Sequence, residues 1–444
     1  MEQNDESKPT AVVATPKQAG EARDRWWWVE RTVWTERMLS RLTSGEPANR
    51  VWYSLMDKTY ALANLRSAFQ QVWQKDGGPG VDRQTVAHFA RQAEAELARL
   101  HEQLRTGRYG PQPVRRAWIP KLGSKEKRPL GIPAVRDRIV QAALRHVLEP
   151  IFETEFAEQS YGFRPGRGAK DALRRVDGLL KAGRVWVVDA DLKSYFDTIP
   201  QDRLMALVKA RVADGRVLAL VESFLRAGVL EAAKGWIPTE CGTPQGGVIS
   251  PLLANLYLDP LDHQLARQGY ELVRYADDFV ILCRSQAQAQ AALAAVAAWV
   301  KEARLILHPQ KTRIVDARQP GGFDFLGYHF ERGMRWPRRK SLGKLKDRVR
   351  AQTSRLEGRR LTDIIADVNR SLRGWYAYFQ HSKSNTFVTV DGYVRRRLRS
   401  LLQWRRDGRG RGKGAAHQRW PNDWFARRGL FSLEAAHAWT RTIV

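Results

Sequence analysis

Carboxylates set inside apolar strand patterns constrain this chain more than any other feature. Residues 185–192 (VWVVDADL) read as a short buried strand that ends on acids, Asp189 and Asp191. Residues 270–285 (YELVRYADDFVILCRS) read as two strand-like runs around a turn that carries Asp277 and Asp278. A carboxylate withdrawn from water costs several kcal/mol unless a cation answers it. A fold that buries these strands therefore needs arginines at the acids, or divalent metal. Hard cations such as Mg²⁺ take oxygen ligands and combine one or two carboxylates with substrate phosphates. Two such ions can stabilise both the attacking and the leaving oxygen of a nucleotidyl transfer. Asp189 and Asp191 lie two residues apart, so strand alternation puts both on one face.

The charge balance narrows the partner. The chain carries 75 Lys and Arg against 47 Asp and Glu, a net +28, which points to a polyanion, most commonly nucleic acid. A membrane is the rival partner, but no lipidation signal or amphipathic anchor is present. The longest apolar run, Ala291 to Val300, is about half a span. Two cysteines, Cys241 and Cys283, exclude a disulfide scaffold and a multi-cysteine zinc module. With no secretory pattern at the N-terminus, a cytoplasmic protein associated with RNA or the nucleoid is expected.

The order of patterns suggests several domains within the 444 residues. Residues 1–24 read as a disordered leader. Residues 25–184 follow as an N-terminal extension and a largely helical region, opened by Trp26, Trp27 and Trp28, which pack internally or grip a partner. Within it, 114–135 reads as two short strands around a basic tip, Gly123 to Lys127. Residues 185–336 alternate strands and helices, 337–404 are helical with a basic stripe, and 405–444 form a basic, Gly-rich C-terminal segment.

The residues around the acids resemble one family. Tyr275-Ala276-Asp277-Asp278 matches the Tyr-x-Asp-Asp box of reverse transcriptases, and Asp191 to Asp197 (DLKSYFD) matches their palm motif. GTPQGG (242–247) with ISPLLAN (249–255), IPK (119–121) with RPLGIP (128–133), SYGFRPG (160–166), FLGY (325–328), and GWY (374–376) with RRRLR (395–399) follow in family order over roughly residues 50–400. The chain is thus identified as resembling bacterial group II intron reverse transcriptase/maturases, in the form without an HNH endonuclease domain. The resemblance implies an α+β right-hand polymerase: fingers, a palm with an antiparallel sheet, and a helical thumb.

It also implies roles. Asp191, Asp277 and Asp278 would be the catalytic, metal-binding acids for two Mg²⁺ ions, with Mn²⁺ as substitute, leaving Asp189 structural. Lys121, Arg128 and Gln245 would contact the incoming dNTP, and Phe196 would sit under its sugar and exclude a ribose. Lys311, in HPQKT, matches a lysine near the pyrophosphate. Gly246, the primer-grip residues Phe325, Leu326 and Gly327, and the thumb arginines Arg395, Arg396, Arg397 and Arg399 would meet nucleic acid. The implied function is RNA-directed DNA polymerisation, with intron RNA, other RNA template, DNA primer and dNTPs as partners. The alternatives are an RNA-binding splicing factor with little polymerase activity, or a reverse transcriptase recruited to defence. Oligomeric state is open.

Overall fold

The computed structural model describes residues 24–43, 51–120, 127–356, 358–408 and 414–442. The leader, Lys121, most of the basic tip and residues 409–413 lie outside the described residues. In chain order the strands are β1 Val114–Pro120, β2 Lys127–Ile132, β3 Trp186–Asp191, β4 Val229–Glu231, β5 Gly235–Ile237, β6 Glu271–Tyr275, β7 Asp278–Cys283, β8 Arg313–Asp316, β9 Phe323–Phe325, β10 Tyr328–Glu331 and β11 Met334–Pro337.

The central sheet is antiparallel, in the order β6-β7-β3-β8. Its strands are apolar on both sides because both faces are covered. Val188, Ala190, Leu272, Phe279 and Ile281 join a core with the helices Ser250–Arg267 and Gln286–Glu302. The alternate residues, Val187, Val273, Val280 and Leu282, pack with the helix Ala169–Lys181 and with Phe323, Phe325, Tyr328 and Phe330 of the three-stranded sheet β11-β10-β9. Asp189, Asp191 and Asp278 share the parity of this second set, so they belong to the face nearer β9–β11.

The fingers are built on the helix Val135–Glu153, which is buried almost all round and so reads as a core helix rather than an amphipathic one. Their sheet has the order β2-β1-β4-β5. Sequence periodicity misses the β4–β5 hairpin: it places a helix over 215–229, whereas the helix ends at Arg226 and three-residue strands follow. Trp26 is buried and packs on Trp28, whose ring is half-buried, while Trp27 is exposed.

The thumb comprises the helices Arg339–Gln352, Leu361–Phe379 and Asn385–Asp407. Ala416, Trp420, Phe425 and Leu433 complete its core. The boundary expected at 404/405 is therefore not a structural division, because the aromatic residues beyond it cover the exposed side of the thumb helices. Among the described residues no helix is long and apolar enough to cross a membrane.

Candidate active site at the end of the central sheet

Register brings the acids together. Asp191, the last residue of β3, is the cross-strand partner of Asp278, the first of β7. β6 and β7 join through a two-residue turn, Ala276-Asp277, because Tyr275 pairs directly with Asp278. Ala276 sits at φ +59°, a left-handed conformation that costs a non-glycine residue about 1–2 kcal/mol.

Beneath the turn lies a charge the sequence reading passed over. Arg274 is fully buried, as is its partner Asp262 on the helix Ser250–Arg267. The Arg274 Nε donates to the two Asp262 oxygens at 2.8 and 3.0 Å, and Nη2 donates to Asp262 as well. Its Nη1 donates to Asn255 Oδ1 at 3.0 Å and to the Ala276 carbonyl at 2.9 Å. Asn255 in turn donates to the Gly162 carbonyl at 2.7 Å, and Tyr161 N–H donates to the Arg274 carbonyl at 2.8 Å. One network thus ties the turn to the SYGF segment of the fingers. Burial disfavours the Arg274 charge, but Asp262 more than offsets this and holds the guanidinium above its ordinary value. An arginine inside an apolar strand beside the acids was the available signal.

The acids themselves are short of positive charge. Burial, then Asp189, Asp277 and Asp191, push the Asp278 carboxyl up to about 7, with Arg338 opposing. Burial also raises Asp277, and Asp191 adds to it. Asp189 is raised by burial too, but Arg313 opposes the shift and its Nε donates to Asp189 at 3.3 Å. Lys311 donates to Asp191 at 2.6 Å, held over it by the loop in which His308 N–H donates to the Asp191 carbonyl at 2.7 Å. Among the described residues no group of three or more His, Cys, Asp and Glu side chains is gathered closely enough to enclose a metal ion.

The fingers supply the opposite wall. Gly131 N–H donates to the Gln245 carbonyl at 2.6 Å, and a Cβ on Gly246, at φ +114°, would lie 2.2 Å from the Gly131 carbonyl oxygen. Glycine is required at 246 for that approach. The Gln245 Nε2 donates to Asp197 Oδ2 at 3.1 Å. Burial raises Asp197, with Arg116 and Arg128 opposing, and Arg128 also lowers Asp277. Arg128 thus acts electrostatically on both Asp197 and Asp277. Phe196 is half-buried, edge-on to Tyr195 at 5.6 Å, and its carbonyl accepts from Thr243 N–H at 2.7 Å.

Two expected contacts are corrected. Phe325 is fully buried: it points into the aromatic layer beneath the sheet, leaving only Leu326 and Gly327, at φ +46° and +87°, in the turn. That turn is pinned to the thumb, where Tyr378 Oη donates to the Leu326 carbonyl at 2.8 Å and Ser341 Oγ to that of Gly327 at 3.0 Å. Arg399 is buried and donates to the Trp420 carbonyl and Asn422, both at 2.8 Å; it anchors the C-terminal cap instead of meeting solvent. Arg397 donates to Thr353 Oγ1 and carbonyl at 3.1 and 2.8 Å. Arg396 is exposed beside Tyr393, and Arg395 is half-exposed.

Comparison with known proteins adds a second line. Residues 119–330 match the family described as reverse transcriptase (RNA-dependent DNA polymerase), and residues 342–420 match the group II intron maturase-specific domain. Protein YkfC of Escherichia coli is 36% identical over 293 residues, which cover 57% of this chain and 76% of that protein. The group II intron-encoded protein LtrA of Lactococcus lactis subsp. cremoris is 40% identical over 197 residues, 44% of this chain and 32% of LtrA. Among solved structures, a partial Cas6-RT-Cas1–Cas2 complex overlays with a TM-score of 0.36 at 26% identity, over 56% of this chain and 41% of that one.

Proposed function

The chain belongs to the reverse transcriptases of the group II intron type, and from that membership we propose that Asp191, Asp277 and Asp278 are the catalytic acids of its RNA-directed DNA polymerase. The observation that carries the assignment is the register that seats Asp191 against Asp278 with Asp277 in the adjoining turn. Reverse transcriptases as a family use divalent metal ions. The donor set here, three carboxylates offering oxygen ligands only, suits Mg²⁺, with Mn²⁺ as substitute. Bound there, two ions would supply the charge that stabilises the attacking and leaving oxygens.

The chain's own residues do the rest. Arg128, with Lys121 across the basic tip in sequence, neutralises the triphosphate of the incoming dNTP. Positioning and charge stabilisation dominate such transfers. Gln245 leaves Asp197 to meet the nucleotide, and Gly246 lets the backbone come close. Phe196 fills the space under the sugar. Lys311 releases Asp191 and turns its ammonium toward the departing pyrophosphate. Arg395, Arg396 and the Leu326-Gly327 turn hold the primer–template backbone, and the maturase-matching region binds intron RNA to assist splicing.

Primer extension with oligo(dT) on poly(rA), dTTP and Mg²⁺ tests the assignment. Wild type extends the primer and Asp277→Asn does not. Equal extension by a folded Asp277→Asn protein would remove Asp277 from the site.

A further inference from the structure

The fingers sheet carries an exposed apolar stripe on one face. Strand pairing sets which residues share it: Arg115 pairs with Leu230, Leu230 with Trp236, Ala117 with Leu130, and Ile119 with Arg128. Side chains alternate along each strand, so Ile119, Leu130, Leu230 and Trp236 lie on one face together with Arg115 and Arg128. Trp236 is 56% exposed, Ile119 49% and Leu230 38%. Soluble surfaces seldom leave such a run of large apolar groups open without a use.

Trp236 is also held flat in advance. Gly228, at φ +77°, lies under the indole, and a Cβ there would sit 2.4 Å from the Trp236 Nε1. The Nε1–H donates to the Ala227 carbonyl at 3.4 Å. The Nε1 side of the ring is therefore held against the 227–228 backbone, while more than half of the residue is open to solvent. Stacking on a ring already fixed costs little side-chain entropy. The surroundings are cationic: among the described residues of these strands and of the β4–β5 turn, Arg115, Arg116, Lys127, Arg128 and Lys234 stand against one acid, Glu231.

The stripe also leads to the nucleotide-binding loop. Leu130, on the same face, would meet a Cβ on Gly246 at 3.2 Å. From β2 to β5 is three strand spacings, about 14 Å. We propose that Trp236, flanked by Leu230, is a stacking platform for an unpaired base of the template strand ahead of the polymerase site. Every base offers a π-face, so an aromatic ring in a basic groove binds single strands without reading sequence. The proposal rests on the polymerase reading given above.

The test compares two fluorescein-labelled primer–RNA template duplexes, one blunt and one with a long 5′ template overhang, by anisotropy, with single-nucleotide extension followed on the overhang duplex. Wild type binds the overhang duplex more tightly. Trp236→Ala loses roughly five- to a hundredfold of that affinity, the effect of deleting one stacking ring, and binds the blunt duplex as wild type does. Trp236→Phe, which keeps a ring, retains most of the preference. Unchanged overhang affinity in Trp236→Ala, or an equal loss on both duplexes, overturns the proposal while leaving the polymerase reading intact. Absence of extension by wild type on the overhang duplex sinks that reading, and the platform with it.

Discussion

Replacing Asp262 by Asn strips the counter-charge from a guanidinium that has no access to water. Arg274 and Asp262 are both fully buried, with three N–H donations between them. Removing one partner of such a pair typically costs about 3–5 kcal/mol, because the remaining charge stays buried. That is a large part of the roughly 5–15 kcal/mol that holds a domain together. Equilibrium urea unfolding of the full chain should show this loss. The companion variant, Arg274→Met with Asp262→Leu, replaces the pair by apolar groups and should restore stability to within about 1 kcal/mol of wild type or better. It should not restore polymerisation, because nothing then holds the Ala276 carbonyl and the left-handed turn is free to relax. The discriminating readout is single-turnover extension at a temperature where all proteins are folded, with Mn²⁺ binding measured by calorimetry alongside. A double variant that recovers both stability and rate would refute the positioning role of Arg274. A loss below about 1 kcal/mol in Asp262→Asn would refute the burial argument itself.

The other expectations concern neighbouring parts of the site and the helix behind it. A Cβ on Gly162 would lie 2.3 Å from the Ala276 nitrogen and 2.8 Å from the Tyr275 carbonyl carbon, so Gly162→Ala should displace the Ala276-Asp277 turn and cost about 1–3 kcal/mol as overpacking. Wild-type extension by that variant would show that the turn can move without penalty. Lys311→Met frees Asp191 and should tighten Mn²⁺ binding by roughly fivefold, the worth of about 1 kcal/mol for a partly exposed ion pair; weaker binding would mean that Lys311 helps to hold the metal-binding acids in place. Two groups on the helix Val135–Glu153 titrate in opposite senses. Burial lowers His146 to about 4, so the unfolded chain takes up its proton first and stability falls as pH drops from 6.5 toward 4. Burial raises Asp137 to about 6, so the folded chain takes up the proton first and stability rises as pH drops from 6 toward 3.8. Each shift is worth about 3 kcal/mol and the two nearly cancel. His146→Gln should therefore gain stability relative to wild type on acidification, and Asp137→Asn should lose it, in thermal melts between pH 7 and 4; parallel melting curves would show that neither group is perturbed.

What the sequence disclosed divides along physical lines. The acids proposed as catalytic were legible because a carboxylate in an apolar strand is costly, and that cost marks it whatever the tertiary context. The same cost marks Arg274 inside its apolar strand. Phe325 and Arg399 show the opposite case. An aromatic residue in a family box and an arginine in a basic run read locally as surface contacts, but strand parity buries the first and the C-terminal cap buries the second. Neither fact is local. Burial of Arg399 depends on Trp420 and Asn422, more than twenty positions away.

The β4–β5 hairpin was invisible for a related reason, and it bears most directly on what this chain does. Three-residue strands carry too little alternation to register as a pattern, and β4 exists because β1 offers it an edge in parallel register at Val114 and Arg115. β4 in turn pairs with β5, which is left as the edge of the sheet, and an edge strand usually needs charge or a cover to prevent chance association. Here β5 carries Trp236 and its neighbour β4 carries Leu230 on one face, beside Arg115. An uncovered apolar edge on a strongly basic protein is tolerable if the partner that covers it is polyanionic and carries its own flat apolar faces. Single-stranded nucleic acid has both properties, so the residues least expected from sequence are those that the charge balance of the chain best explains.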